Sequence, residues 1–166
     1  LEQEALRAGR ILAQLLDLAR AQRGGGDAPT DIALGEVATD LIAAHAQQAH
    51  DSGHDLSLLQ PDAPVHVRVS PMLLELALRN LIDNALRHTP PGTQVAVEVW
   101  QGPHGCGVSV SDDGLRAGAP AVRGSTHGLG LGLRLVERMA EQMGATLLRD
   151  HGDTPMTTRF ALRWTR

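Results

Sequence analysis

The sequence predicts an α/β fold. It should be a two-layer α/β sandwich with a mixed, mostly antiparallel sheet and about three helices, preceded by one bundle helix. Three observations predict it. Residues 1–23 carry apolar side chains at helical spacing and run into a glycine triplet. Two later stretches combine helical spacing with start and stop signals. Around them lie short alternating apolar runs bounded by Pro, Gly and Asp, the pattern of strands.

The elements follow in order. In residues 1–23, Leu1, Ala5, Ala8, Leu12, Leu15 and Ala19 keep a four-three spacing, and Ile11, Leu16 and Leu18 widen the stripe. Such a helix packs either in a bundle or on its own domain. Gly24-Gly25-Gly26 then breaks the chain like a linker, which favours the bundle. A short strand at 31–34 leads to a helix at 35–51. Strands at 54–59 and 65–69 flank the turn Gln60-Pro61-Asp62-Ala63-Pro64. Ser70 caps a helix with Pro71 at its first position, the favoured pair for a start, and that helix runs to His88 before Pro90-Pro91-Gly92. Strands at 94–100 and 107–111, a glycine-rich stretch, a helix at 131–143 and strands at 145–149 and 157–164 complete the chain. The expected organisation is a helix at 1–23, a linker at 24–30 and an α/β domain at 31–166. The chain opens mid-pattern without a methionine and is expected to belong to something longer.

Composition excludes several functions. Aromatics make up 2% of the 166 residues, with Phe160, Trp100 and Trp164 the complete set, so bases have no stacking platform. With a net charge of −4 there is no general attraction for polyanions, and no nucleic-acid partner is expected. All 15 basic residues are arginine. Without lysine there is no P-loop, no eukaryotic-type protein kinase and no Schiff-base chemistry. One cysteine, Cys106, forms no internal disulfide and fits a reducing compartment. No apolar run approaches the roughly 18–20 residues of a membrane span, so no membrane contact by these residues is expected. His45, His50 and His54 lie close in sequence, but without HExxH or CxxC they read as surface histidines rather than metal ligands.

Three stretches carry chemistry. NLIDNALRHT, residues 80–89, puts Asn80, Asn84 and Arg87 on one helical face. Two amide oxygens suit a hard cation such as Mg²⁺, and Arg87 offers a fork to phosphate; solvent-facing asparagines would account for the pattern equally well. In VSDDG, residues 110–114, a strand ends on carboxylates and a glycine. Asp112 can accept from an exocyclic amine such as that of adenine, or the pair Asp113-Gly114 can be a simple turn. In HGLGLGL, residues 127–133, alternate glycines let backbone N–H groups approach phosphates at a helix N-terminus. The dinucleotide fingerprint G-x-G-x-x-G fails here in both frames.

In this order, the three stretches resemble the ATP-binding domain of sensor histidine kinases, in the superfamily shared with gyrase, Hsp90 and MutL. Residues 80–89 resemble the N box, Asp112-Asp113-Gly114 the first glycine box and residues 128–133 the second. Thr157-Thr158-Arg159-Phe160 is similar to the tail of the last motif, and residues 1–23 to the second dimerisation helix. The resemblance implies that Asn84 holds Mg²⁺ with Asn80 beside it. It implies that Arg87 and Arg123 serve the transferred phosphate. His88, Asp112, Gly114, Gly128, Leu129, Gly130, Leu131, Gly132, Leu133 and Thr158 would complete the ATP site. The implied function is transfer of the ATP γ-phosphate to a histidine on the dimerisation helix, expected before residue 1, for relay to a response regulator. The implied setting is a homodimer joined through the N-terminal helix. This domain would be cytoplasmic, within a full-length protein of the bacterial inner membrane.

The sequence also departs from the family pattern. Arg116 stands at the second glycine of the first glycine box. The F box reads Pro120-Ala121-Val122-Arg123 without its phenylalanine. Pro155 and Thr157 replace glycines of the last motif. His50-Asp51 and His54-Asp55 mimic the acceptor dipeptide but fall at a helix end and a strand start. Only Gly124 to His127 separate Arg123 from the second glycine box, which implies a short lid over ATP; a nucleotide-binding module without transfer activity, motivated by that lid, is the alternative reading. An anti-sigma-factor kinase is a third, and the dimerisation-like helix speaks against it.

Overall fold

The computed structural model describes residues 2–23, 27–114, 126–153 and 155–165. Helix α1 (Glu2–Gln22) precedes β1 (Thr30–Ala33), α2 (Leu34–Asp51), β2 (Asp55–Leu59), β3 (His66–Val69), α3 (Pro71–Arg87), β4 (Gln94–Gly102), β5 (Gly105–Asp112), α4 (Thr126–Gln142), β6 (Thr146–Asp150) and β7 (Thr158–Thr165). All but α4 lie within a residue or two of the predicted ranges.

Local chemistry explains the boundaries that matter for the site. Ser70 sits in extended geometry (φ −63°, ψ 121°), and its Oγ accepts from the Leu73 N–H at 3.4 Å, with Pro71 opening α3. At the other end the His88 N–H donates to the Asn84 carbonyl at 3.0 Å. Pro90 and Pro91 follow and cannot continue the helix. Gly53 (φ 73°) makes the left-handed turn that reverses α2 into β2.

Five strands form one sheet in the order β2-β4-β5-β7-β6. Only β2 and β4 run parallel, so the sheet is mixed and mostly antiparallel, as the sequence predicts. The parallel pair needs a long crossover, supplied by β3 and α3. β1 and β3 depart from a single sheet and pair antiparallel in a separate ribbon. The ribbon continues past its last register pair, where the Leu34 N–H donates to the Val65 carbonyl at 2.8 Å.

Leu74, Leu78, Leu81 and Ile82 of α3 and Leu135, Val136 and Met139 of α4 meet Val95, Val97, Val108, Val110 and Leu162 of the sheet in one core. Each such side chain stabilises the fold by about 1.5–3 kcal/mol on full burial. The core therefore fixes α3 and α4 against the sheet.

Helix α4 begins at Thr126, earlier than the predicted 131, so the alternating glycines lie in its first turns rather than before it. A helical glycine costs about 1 kcal/mol relative to alanine. The same helix is anchored by Leu135, Val136 and Met139, all buried, and that packing outweighs the propensity used to place the start. Helix α1 contacts α4 and leaves Leu6, Ile11, Leu12, Leu15 and Leu16 exposed. No described helix is long and apolar enough to cross a membrane.

Candidate functional site

On α3, Asn80 and Asn84 are both buried, at 9% and 7% exposure, so they are not solvent-facing. The Asn80 Nδ2 donates to the Leu76 carbonyl one turn back at 2.7 Å, which leaves its Oδ1 without a hydrogen bond among the described residues. The Asn84 Nδ2 is buried and has no partner there either. An unpaired buried amide costs about 1–3 kcal/mol. A half-turn of that amide exchanges N–H for C=O, so the same position can offer oxygen to a cation or N–H to an anion. Two amides with available oxygens on one rigid helix face fit a hard cation that keeps several waters and also binds phosphate.

Asp83 lies between them in sequence and organises the neighbouring charges. Its Oδ1 lies 3.3 Å from His45 Nε2 and its Oδ2 lies 3.5 Å from an Arg87 guanidinium nitrogen. Arg87, expected at phosphate, is thus placed on a carboxylate one turn back, with its side chain 32% exposed. His45 Nδ1 donates to the Leu41 carbonyl at 2.7 Å, so both ring nitrogens face acceptors. The hydrogen bond to Asp83 raises the His45 pKa against the opposing effect of burial. Burial pushes Asp83 up, but the His45 hydrogen bond and the charges of Arg87 and His45 together hold it below the ordinary carboxylate value.

A raised histidine pKa stabilises the fold fully below the unfolded value of about 6.5, and the effect is lost as pH rises through the folded pKa. The stability gap between the native protein and His45→Ala, measured by urea unfolding, should therefore be larger at pH 5.5 than at pH 8.5. A constant gap would mean that His45 contributes packing alone.

Asp112 closes β5 at 7% exposure. Its Oδ1 accepts the Gly114 N–H at 3.0 Å, and its Oδ2 accepts nothing from the described residues. Burial raises its pKa, the Gly114 N–H opposes that, the Asp113 charge adds to it and the His54 charge lowers it. Asp113 does different work. Its N–H donates to the Gln94 carbonyl at 3.2 Å and its Oδ1 accepts the Gln94 N–H at 2.8 Å, locking it to β4. One carboxylate is therefore spent on structure and the other keeps an available oxygen. Gly114 is sterically required, because a Cβ there would lie 2.5 Å from Thr89 Cγ2.

The last motif reaches the same place. The Thr157 N–H donates to the Asp112 carbonyl at 2.8 Å, and Thr158 is the register partner of Asp112. The backbone of 126–129 supplies the first N–H groups of α4, which have no intrahelical acceptor, and 128–133 lie within its opening turns. Gly132 is buried and Leu133 half-buried there. His88 is half-buried at the end of α3, where burial first, then the charges of Arg87 and Arg10, push its pKa down. Arg123 lies outside the described residues.

Sequence reading missed four contributors. His45 and His54, taken as surface histidines, are buried at 6% and 7% exposure, while His50 is exposed. Asp83 was legible as the i−4 partner of Arg87. Thr89 belongs to the motif at 80–89, but its spacing carries no signal of a role. A groove of about 490 Å³ between the start of α2 and the 60–65 turn holds none of these residues. Glu36, Asp40 and Asp62 line it with no cation among the described residues, which suits no phosphate.

Residues 69–165 match the family of histidine kinase-, DNA gyrase B- and HSP90-like ATPases. Sensor protein IrlS of Burkholderia pseudomallei is 31% identical over 86% of this chain and 33% of its own length. Sensor protein kinase PmrB of Pseudomonas aeruginosa is 32% identical over 81% of this chain and 31% of its own. The chain thus spans about a third of the length of these relatives. Full-length ShkA in complex with AMPPNP superposes with a TM-score of 0.73 at 22% identity, over 97% of this chain and 37% of that one, which is a likeness of fold. With more than half its length inside the matched region, the chain belongs to the histidine kinase-, DNA gyrase B- and HSP90-like ATPase family.

Proposed function

We propose that this chain is the ATP-binding catalytic part of a sensor histidine kinase. The observation that carries the reading is the buried Asn84 amide nitrogen, which has no hydrogen-bond partner among the described residues, on the helix that also contacts the strand bearing Asp112. Asp112 would accept the adenine amine through its available oxygen. Asn84, with Asn80 beside it, would hold Mg²⁺, which when bound neutralises phosphate charge. Arg123 and Arg87 would serve the γ-phosphate, Arg87 exchanging Asp83 for a phosphate oxygen. The opening turns of α4 would receive phosphate at their backbone N–H groups. The AMPPNP bound to ShkA, which shares the fold, supports the nucleotide assignment.

The acceptor would be a histidine of the dimerisation helices. Its ring nitrogen forms a bond to the γ-phosphorus as the bond to the β–γ bridging oxygen breaks, and ADP leaves. Catalysis is then mainly positioning and charge neutralisation. The exposed leucines of α1 support helix 1–23 as one wall of a dimer bundle, joined by linker 24–30 to a nucleotide unit at 31–166. A response regulator would take the phosphoryl group onward. The full-length protein would sit in the bacterial inner membrane with this portion on the cytoplasmic side.

The test is phosphorylation of the chain preceded by its own upstream sequence. Incubation with labelled ATP should give an acid-labile, base-stable phosphoprotein, and Arg123→Ala should slow its formation by roughly tenfold or more, as loss of a phosphate-stabilising cation does. Nucleotide binding without any phosphorylation would favour the binding-module reading, for which the missing F-box phenylalanine speaks.

A further inference from the structure

His54 lies far from the motifs that define the site, yet it is buried at 7% exposure and wired to them. Its Nε2 lies 2.8 Å from Thr89 Oγ1 and its Nδ1 lies 2.8 Å from Ser52 Oγ. The Thr89 hydroxyl donates to the Ala85 carbonyl, which leaves its Oγ1 to accept from His54 in the tautomer that carries the proton on Nε2. Held at both ends, the threonine has one side-chain orientation. That orientation sets its methyl group against Gly114, where even a Cβ would approach Thr89 Cγ2 to 2.5 Å and Thr89 Cβ to 2.8 Å. Gly114 in turn gives its N–H to Asp112 Oδ1 at 3.0 Å. A continuous line of contacts therefore runs from the end of α2, through His54 and Thr89, to the carboxylate at the end of β5.

We infer that His54, acting through Thr89, is a positioning residue that fixes the Asp112–Gly114 turn and so sharpens the choice of adenine over guanine. The inference rests on the reading of Asp112 as the adenine acceptor. Adenine offers an amine at the atom where guanine offers a carbonyl. Discrimination there depends on a carboxylate held to within about 0.5 Å. Without the His54 hydrogen bond, Thr89 can turn its hydroxyl toward Gly114, and the turn loses its stop.

The experiment measures affinities of Mg·AMPPNP and Mg·GMPPNP for the whole chain by calorimetry, with folding checked by circular dichroism. His54→Phe keeps a ring without a donor, and Thr89→Val keeps a methyl without a hydroxyl. Each should weaken adenine nucleotide about tenfold, the worth of one hydrogen bond, and narrow the adenine-to-guanine ratio. The double variant should be little worse than either single one, because both break the same line. His54→Gln, which restores an N–H near the Nε2 position, should recover most of the affinity and the ratio, whereas a purely structural histidine would show no such rescue of selectivity. Unchanged affinity, or equal losses for both nucleotides, in folded Thr89→Val or His54→Phe overturns the inference. Asp112→Asn in the same series separates the two levels. If it changes adenine binding while the His54 and Thr89 variants do not, the positioning role alone falls; if it changes nothing, the adenine assignment falls and the inference with it.

Discussion

Replacing Asn84 by alanine should weaken Mg²⁺-dependent nucleotide binding by roughly 100-fold or more, since even outer partners of a bound metal are worth about 10–100-fold. It should do so without destabilising the free protein. The Asn84 amide nitrogen is buried and has no partner among the described residues. Removing an unpaired polar group relieves a cost of about 1–3 kcal/mol, although the small cavity left behind offsets part of that gain. The thermal midpoint of the free chain should therefore hold or rise while affinity collapses. These opposite signs separate a ligand-holding residue from a structural one, whose loss would lower stability first. Thermal unfolding with and without Mg·AMPPNP reads both. A variant that melts earlier yet keeps its ligand-induced shift would remove Asn84 from the site.

Asp112→Asn should produce the second large effect. The change keeps size but replaces a charge-assisted acceptor worth about 1.5–3 kcal/mol, so ATP affinity should fall roughly 10–100-fold. GTP affinity should change far less, because its carbonyl gains nothing from a carboxylate at that point. Burial raises the Asp112 pKa, so the ionised carboxylate costs stability at neutral pH and the loss grows as pH rises through the folded value. The asparagine variant should consequently be no less stable than the native chain at pH 7. Competition by GTP against a fluorescent ATP analogue checks selectivity. Equal competition by both nucleotides in the native chain would contradict the role.

Much of the fold was legible because its punctuation is local. Ser70 with Pro71, the Pro90-Pro91 stop and the alternating valines of β4 and β5 each act within a few residues. The start of α4 was not legible, because packing of Leu135, Val136 and Met139 overrides the glycines that precede them. The split-off β1–β3 ribbon joins segments more than thirty residues apart in the chain, and no apolar pattern reports such a pairing. In the site, spacing singled out Asn80, Asn84 and Asp112 as candidates but left surface asparagines and an ordinary turn as equal readings, and only burial shows that the three are not solvent-facing. Asp112 and Asp113 looked equivalent in sequence, and only the lock of Asp113 onto Gln94 tells them apart. The ties of His45 to Asp83 and of His54 to Thr89 join segments distant in the chain, and no periodicity reports such pairs. The i−4 spacing of Asp83 and Arg87 is local and could have reported their pair, but the sequence reading placed Arg87 at phosphate alone and missed this partner.

On the proposed function, this chain should bind adenine nucleotide through Mg²⁺. The direct measurement is a calorimetric titration of the chain with AMPPNP, run with excess Mg²⁺ and again with a chelator, each with and without GTP as competitor. Saturable one-to-one binding that requires Mg²⁺ and survives excess GTP is the expected result. Absence of binding at millimolar nucleotide, or binding indifferent to both Mg²⁺ and GTP, would contradict it.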